Sequence, residues 1–126
     1  MKDTDMEQTV RSVIRRMTAS SVMNLAFARN LIREVEKKAQ EMGVKAVVAV
    51  SDAAGRPVAI ECMDGAYIGS FDVALNKTFT SVAFQMSTAE LGKLASPGGS
   101  LYGIQNTNDG KIVIFGGGEP LYVDDV

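Results

Sequence analysis

Apolar and polar positions repeat along this chain with two different periods, and the switches between them mark out its elements. Met6, Val10, Val13, Ile14 and Met17 fall on one face of a helix over residues 5–17, with Glu7, Gln8, Arg11, Arg15 and Arg16 opposite. Thr18-Ala-Ser-Ser21 breaks that pattern as a polar hinge. A second helix over 22–42 places Leu25, Ala28, Leu31, Ile32, Val35, Ala39 and Met42 in a buried stripe, and Gly43 stands where a left-handed C-cap belongs. The period then drops to two. Residues 44–50 and 57–62 read as paired strands joined by the Asp52-Ala-Ala-Gly55 turn.

Helical spacing returns over 68–84, with Ile68, Phe71, Leu75, Phe79 and Val82 facing inward. Ser87-Thr-Ala-Glu90 is a capping box that opens a fourth helix ending at Ala95. Strands are expected over 101–107 and 111–115, turned by Asn108-Asp-Gly110, with a last strand starting at Leu121. The predicted architecture is an α+β domain with an antiparallel sheet and helices packed on it. Residues 1–20 form an amphipathic helix and hinge; residues 21–126 form the domain.

The chain has 126 residues, 46% apolar and 22% charged, enough for one domain with its own core. A net charge of −2 gives no electrostatic footprint for nucleic acid. No apolar run approaches the roughly 20 residues of a membrane span. The acidic start, Met-Lys-Asp-Thr-Asp-Met-Glu, does not read as a secretory signal, and a single cysteine suits a reducing interior. A cytoplasmic location is expected, with neither nucleic acid nor membrane as a partner.

Histidine is absent. Usual zinc, copper and non-haem iron sites therefore cannot be assembled from one chain, nor can Ser-His-Asp or Cys-His nucleophile systems. No metal site is expected. Acid–base work would fall to carboxylates, Lys or Tyr, and a haem ligand would have to be Met, Tyr, Lys, Cys or a hydroxyl.

Two glycine clusters, Ser96-Pro-Gly-Gly99 and Gly116-Gly-Gly118, bracket the last apolar stretch. Glycines are used where φ is positive or the backbone comes close to another group, so Pro97, Gly98, Gly99, Gly116, Gly117 and Gly118 could form a pocket rim or plain tight turns. Asp64 could face that pocket or cap the next helix. Lys77 stands out on an apolar face as an anchor for a ligand carboxylate, or snorkels at the surface. Tyr102 suits stacking or weak iron ligation, and equally a core position with its hydroxyl satisfied. Asn106 and Thr107 could point into the pocket or shape the hairpin. Cys62 reads as a buried small hydrophobe rather than a thiolate ligand. Among the methionines, Met63 and Met86 lie next to loops and are the two that could act as ligands.

Several segments resemble one family. Met63-Asp-Gly-Ala66, Asp72-Val-Ala-Leu-Asn-Lys77, Ser96-Pro-Gly-Gly99, Leu101-Tyr-Gly103, Asn106-Thr-Asn108 and Phe115-Gly-Gly-Gly-Glu-Pro120 look like the GlcG/HbpS group of haem-degrading or haem-binding domains. The same fold forms the C-terminal half of PduO proteins of propanediol utilisation. The resemblance runs from about Val22 to the end. It implies a profilin-like antiparallel sheet flanked by helices, assembly into dimers or larger homo-oligomers, and binding of haem or a related tetrapyrrole, for which Met63, Asp64, Lys77, Tyr102, Asn106, Thr107 and the two glycine loops are the candidates.

Two features depart from the family pattern. Its members usually continue with a strand, a Gly-Val-Ser-Gly-Gly segment and a last helix, so this chain is expected to be a naturally short member or a trimmed one. Histidine, linked to haem in PduO-type domains, is missing. Outside the match, Glu7-Gln-Thr-Val-Arg-Ser-Val-Ile-Arg-Arg-Met17 is similar to the encapsulation peptides that send cargo into bacterial microcompartments. That likeness implies docking of residues 5–17 on shell or cargo proteins in helix-in-groove fashion; a helix packed on its own domain is the alternative. The function expected is an oligomeric tetrapyrrole-binding module associated with a microcompartment. A haem-degrading enzyme and a ligand-free structural oligomer stay open beside it.

Overall fold

Asn24 begins the first long element by capping it. Its side-chain oxygen accepts the Phe27 amide at 2.8 Å, so the helix starts there rather than at the expected residue 22. In this computed structural model, residues 6–11 and 23–122 are described. Residues 6–11 are helical (α1), and the remainder of the expected 5–17 helix and its hinge lies outside the described residues. Then follow α2 (Leu25–Glu41), β1 (Val47–Ser51), β2 (Pro57–Cys62), α3 (Gly69–Phe84) and α4 (Thr88–Leu94). Two 3₁₀ turns, Ile104–Asn106 and Asn108–Gly110, come last.

Gly43 ends α2 as its position suggests, with φ at +70°. The Val44 amide reaches the Ala39 carbonyl at 2.8 Å and the Gly43 amide reaches Gln40 at 3.1 Å, which together make a Schellman stop. The buried stripe of α2 is Ala28, Leu31, Ile32, Val35 and Ala39, while Leu25 is exposed. Ser87 caps α4 by accepting the Glu90 amide at 3.1 Å.

The β1–β2 hairpin is antiparallel, pairing Val47 with Cys62 and Ala49 with Ile60, with a bulge between Val50 and Ser51. Asp52 builds its turn. One carboxylate oxygen accepts the amides of Ala54 and Arg56, both at 3.0 Å, and the other meets Arg56 Nε at 3.1 Å. Successive strand residues face opposite sides, and that settles the layering. Val50 lies in the cluster formed with the α2 stripe, whereas Ser51 donates its hydroxyl to Thr78 Oγ1 on α3 at 2.6 Å. The hairpin is therefore held between α2 and α3.

The α+β class stands, but the sheet is smaller than the pattern predicts. Among the described residues it has two strands. The expected strand over 101–107 is instead a run of turns, with Gly103 at φ +92° and amides bonding three residues back. Residues 112–114 belong to no ladder and are held from the side: the buried Thr80 hydroxyl accepts the Val113 amide at 3.0 Å while donating to the Asn76 carbonyl at 2.7 Å. Further on, the Thr88 amide donates to the Gly118 carbonyl at 3.0 Å and the Gly118 amide donates to the Thr88 hydroxyl at 2.9 Å. Two threonines thus supply partners that a neighbouring strand would otherwise supply. Leu121 packs on the α2 core without forming a strand in the described residues.

The inward face of α3 also differs from expectation. Ile68 is 95% exposed and Phe71 is exposed, while its buried positions are Thr80 and Ser81. The helix turns toward the threonine-pinned segment, so Thr80, bonded to backbone there, occupies its core side together with Ser81. Glu7, expected on the polar face of the first helix, is buried with Met6 against the domain.

Candidate functional site

Lys77 lies one turn before Ser81 on α3, beneath the loop that carries Gly116–Gly118. Its ammonium stands 4.6 Å over the Phe115 ring. A Cβ placed on Gly117, whose φ is +121°, would sit 2.6 Å from Lys77 Nζ. One on Gly118 would sit 2.7 Å from Thr88 Cγ2, 3.0 Å from Ser81 Oγ and 3.1 Å from Lys77 Cβ. The loop comes this close because it lacks side chains. The geometry gathers an ammonium, an exposed aromatic ring and a glycine backbone into one corner. The Ser81 hydroxyl beside Gly118 is buried without a hydrogen-bond partner. Chemically, such a corner suits a carboxylate attached to a flat apolar body: cation for the charge, ring for the face.

The other glycine cluster lies at the opposite end of α4. Leu94 receives the Leu101 amide at 2.9 Å, and Gly99 approaches the Leu94 carbonyl so closely that a Cβ would overlap it. Thr88, at the helix start, holds Gly118. The seven residues of α4 therefore separate the two loops by about 10 Å at 1.5 Å per residue. Pro97 and Gly98 are exposed, and a Cβ on Gly98 would meet nothing within 4 Å. Tyr102 is 66% exposed on the turn that follows. Asn106 and Thr107 are exposed, and the Thr107 hydroxyl donates to the Ile104 carbonyl at 2.7 Å, shaping its turn.

Met63 and Asp64 belong to a different place, an open groove of about 540 Å³ between the end of α2 and the exit from β2. Glu36, Gln40, Lys45 and Cys62 line it with them. Met63 packs against the main core, and its sulfur accepts the Ala46 amide at 3.4 Å. Asp64 is exposed in a turn closed by the Ala66 amide to the Met63 carbonyl; α3 has no side-chain cap. Cys62, expected to be buried, is exposed because the end of β2 turns outward at this groove. Burial and then a shared hydrogen bond with Glu61 push the Glu36 carboxyl up to about 7.

Sequence reasoning missed Phe115, Ser81 and the threonines as parts of the Lys77 corner. For Ser81 and the threonines the only local signal is a hydroxyl on a helix, which ordinarily reads as a surface position; for Phe115 it is no more than a place just before the glycine run. The Glu36–Glu61 pair, joined across α2 and β2, carries no sequence signal at all. Among the described residues no group of three or more acidic or Cys side chains could hold a metal ion, and no helix is long and apolar enough to cross a membrane.

A small α+β domain, with a hairpin between helices and a glycine loop closed over a helix-borne lysine, is the class these features define. Residues 23–126 match the HbpS-like family of haem degrading proteins, and the chain belongs to that family. It is 39% identical over 104 residues to an uncharacterized 15.0 kDa protein in the dhaT-dhaS intergenic region of Citrobacter freundii, covering 82% of this chain and 73% of that one. It is 36% identical over 96 residues to the corrinoid adenosyltransferase PduO of Salmonella typhimurium, covering 76% of this chain but 29% of the relative. Among solved structures, Klebsiella pneumoniae protein ORFY aligns with a TM-score of 0.68 and 31% identity, over 99% of this chain and 71% of that one. A PduOC:heme complex aligns with the same TM-score and 29% identity, over 100% of this chain and 75% of that one.

Proposed function

We propose that this chain is an oligomeric, cytoplasmic module that binds haem or a related tetrapyrrole, associated with a bacterial microcompartment for diols or similar substrates. The single observation that carries the ligand half is Lys77, whose ammonium lies over Phe115 and against the Gly117 backbone. Family membership and the likeness to a haem complex support the choice of a tetrapyrrole. The residues present fit the periphery of such a ligand. Lys77 would hold a carboxylate of the macrocycle, Phe115 would lie against its face, and the buried, unpartnered Ser81 hydroxyl offers a donor nearby. Bound haem would supply redox-active iron. The sequence offers no distal acid or base beyond Asp64, Lys77 and Tyr102, so a binding role is favoured over haem degradation.

Haemin titration of the purified protein tests this reading. A saturable shift of the Soret band, weakened by Lys77→Ala and more strongly by Gly117→Val, is the expected result. No saturable binding of haemin or a corrinoid would remove the ligand half.

Residues 5–17 would serve as the docking helix for shell or cargo proteins. The support is their amphipathic pattern together with relatives named for PduO and for the dhaT-dhaS region. Co-purification with shell proteins, lost on deletion of residues 1–20, is the corresponding test. Oligomer formation is supported by the hairpin, which has one unpaired edge on each strand among the described residues. Light scattering should give a mass above the 13.4 kDa of one chain.

A further inference from the structure

The N-terminal helix is tied to the far end of the chain. Met6 is 7% exposed and belongs to the main core with Ala28, Leu31 and Ile32, and Val10 packs beside it. Arg11 Nε donates to Glu119 Oε1 at 2.9 Å, an ion pair spanning 108 residues of sequence. Leu121, two residues beyond Glu119, packs on the same core. So α1 rests in a site made by α2 and the 119–121 segment.

That contact is electrostatically costly. The Glu119 side chain is only 6% exposed, and its second carboxylate oxygen has no partner. Glu7, 9% exposed, likewise keeps one carboxylate oxygen buried and unpaired. Burial pushes the Glu119 carboxyl up despite the pull of Arg11, and Glu7 on α1 and Glu90 on α4 push it the same way. Buried acceptors without donors cost free energy that water would return on opening.

We propose that α1 is an autoinhibitory latch: closed on its own domain through Met6 and the Arg11–Glu119 pair, it hides the apolar face that a partner would have to grip, and it opens as a unit while the domain stays folded. The gating role rests on the docking reading given above; the closed and open states do not. In the closed state Met6 is buried and Val10 partly so, and docking elsewhere through them requires release. The poor pairing of Glu7 and Glu119 keeps that release within reach.

Hydrogen exchange on the full chain, read by mass spectrometry, tests the latch. Domain-side changes leave the sequence of α1 intact, so Glu119→Ala combined with Leu121→Asp is the main variant. Amides of residues 6–11 should then exchange about tenfold faster or more, with the amides of α2 unchanged and melting still cooperative. The charge swap Arg11→Glu with Glu119→Arg should restore slow exchange relative to Arg11→Glu alone. Unchanged exchange at 6–11 in the main variant overturns the latch, as does α2 loosening in step with α1. A separate arm measures retention of a purified shell protein by wild type, the main variant and a synthetic peptide of residues 5–17. Better retention by the variant than by wild type supports gating, and equal retention by both overturns it. Failure of the peptide and of the opened variant alike sinks the docking reading, while exchange still decides the latch.

Discussion

Thr80 and Val113 are joined by a hydrogen bond in which a helix side chain takes the role of a neighbouring strand, accepting the Val113 amide at 3.0 Å. Both residues are buried, so water cannot replace the bond. Thr80→Val keeps the shape and strips the acceptor. It should destabilise the domain by about 1–3 kcal/mol, the cost of a buried amide left unpaired. Thr80→Ser, which keeps the hydroxyl, should lose less. Urea midpoints of the two variants check the difference.

Ile32 is fully buried in the α2 stripe. Ile32→Ala should cost about 2–5 kcal/mol through lost transfer energy and the cavity left behind. Ile32→Asp should abolish cooperative melting, because an unpaired buried charge rivals the whole stability of a domain. Thermal melts followed by circular dichroism separate the two.

The Glu36 carboxyl gives a pH dependence with a definite sign. Its value is raised from 4.5 to about 7, first by burial and then by Glu61. A carboxyl raised on folding binds its proton more tightly in the native state. Its contribution is therefore fully present below about pH 4.5 and is lost as pH rises through about 7. Glu36→Gln should flatten that part of the stability profile and make the protein more stable than wild type at pH 8. An unchanged slope between pH 4.5 and 7 in the variant would refute the assignment.

The glycines of the two loops should not respond alike. Gly98→Ala meets open space but forces a side chain to φ +87°, a strain of about 1 kcal/mol with little effect on the Lys77 corner. Gly118→Ala drives a methyl group into Thr88, Ser81 and Lys77, where overpacking costs about 1–3 kcal/mol. Haemin affinity should fall with Gly118→Ala and hold with Gly98→Ala. Paired titrations and melts of the two variants provide the check.

Deletion of residues 1–20 removes Met6 from the core, a loss of about 1.5–3 kcal/mol for a buried methionine. The expected result is a lower melting temperature with cooperativity retained.

What could be read from the sequence was what local chemistry decides. Gly43, Ser87 and the Asp52 turn each act on partners within five residues, and each appears where the pattern puts it. The strands beyond Leu101 were not legible, because short apolar runs such as Ile112–Ile114 look the same whether a strand or a threonine pairs their backbone. Helical periodicity misassigned α3 for a related reason: the helix packs on a backbone segment that wants acceptors, so Thr80 faces inward and Ile68 outward. Lys77 was picked out by its charge on an apolar face, but Phe115 and Ser81 join it only through folding.

The threonine-held segment also sets an order of assembly. The hairpin turn closes through contacts at most five residues long, whereas Thr80 with Val113 and Thr88 with Gly118 close loops of 33 and 30 residues. Loop closure is slower and entropically dearer at such separations. The hairpin with α2 should therefore form early, and the stretch from Lys111 to Gly118 should settle late onto helices already in place. The corner around Lys77 and Gly117 would then be a late part of the fold, and a chain emerging from the ribosome could not take up a ligand there until it had been made through Gly118.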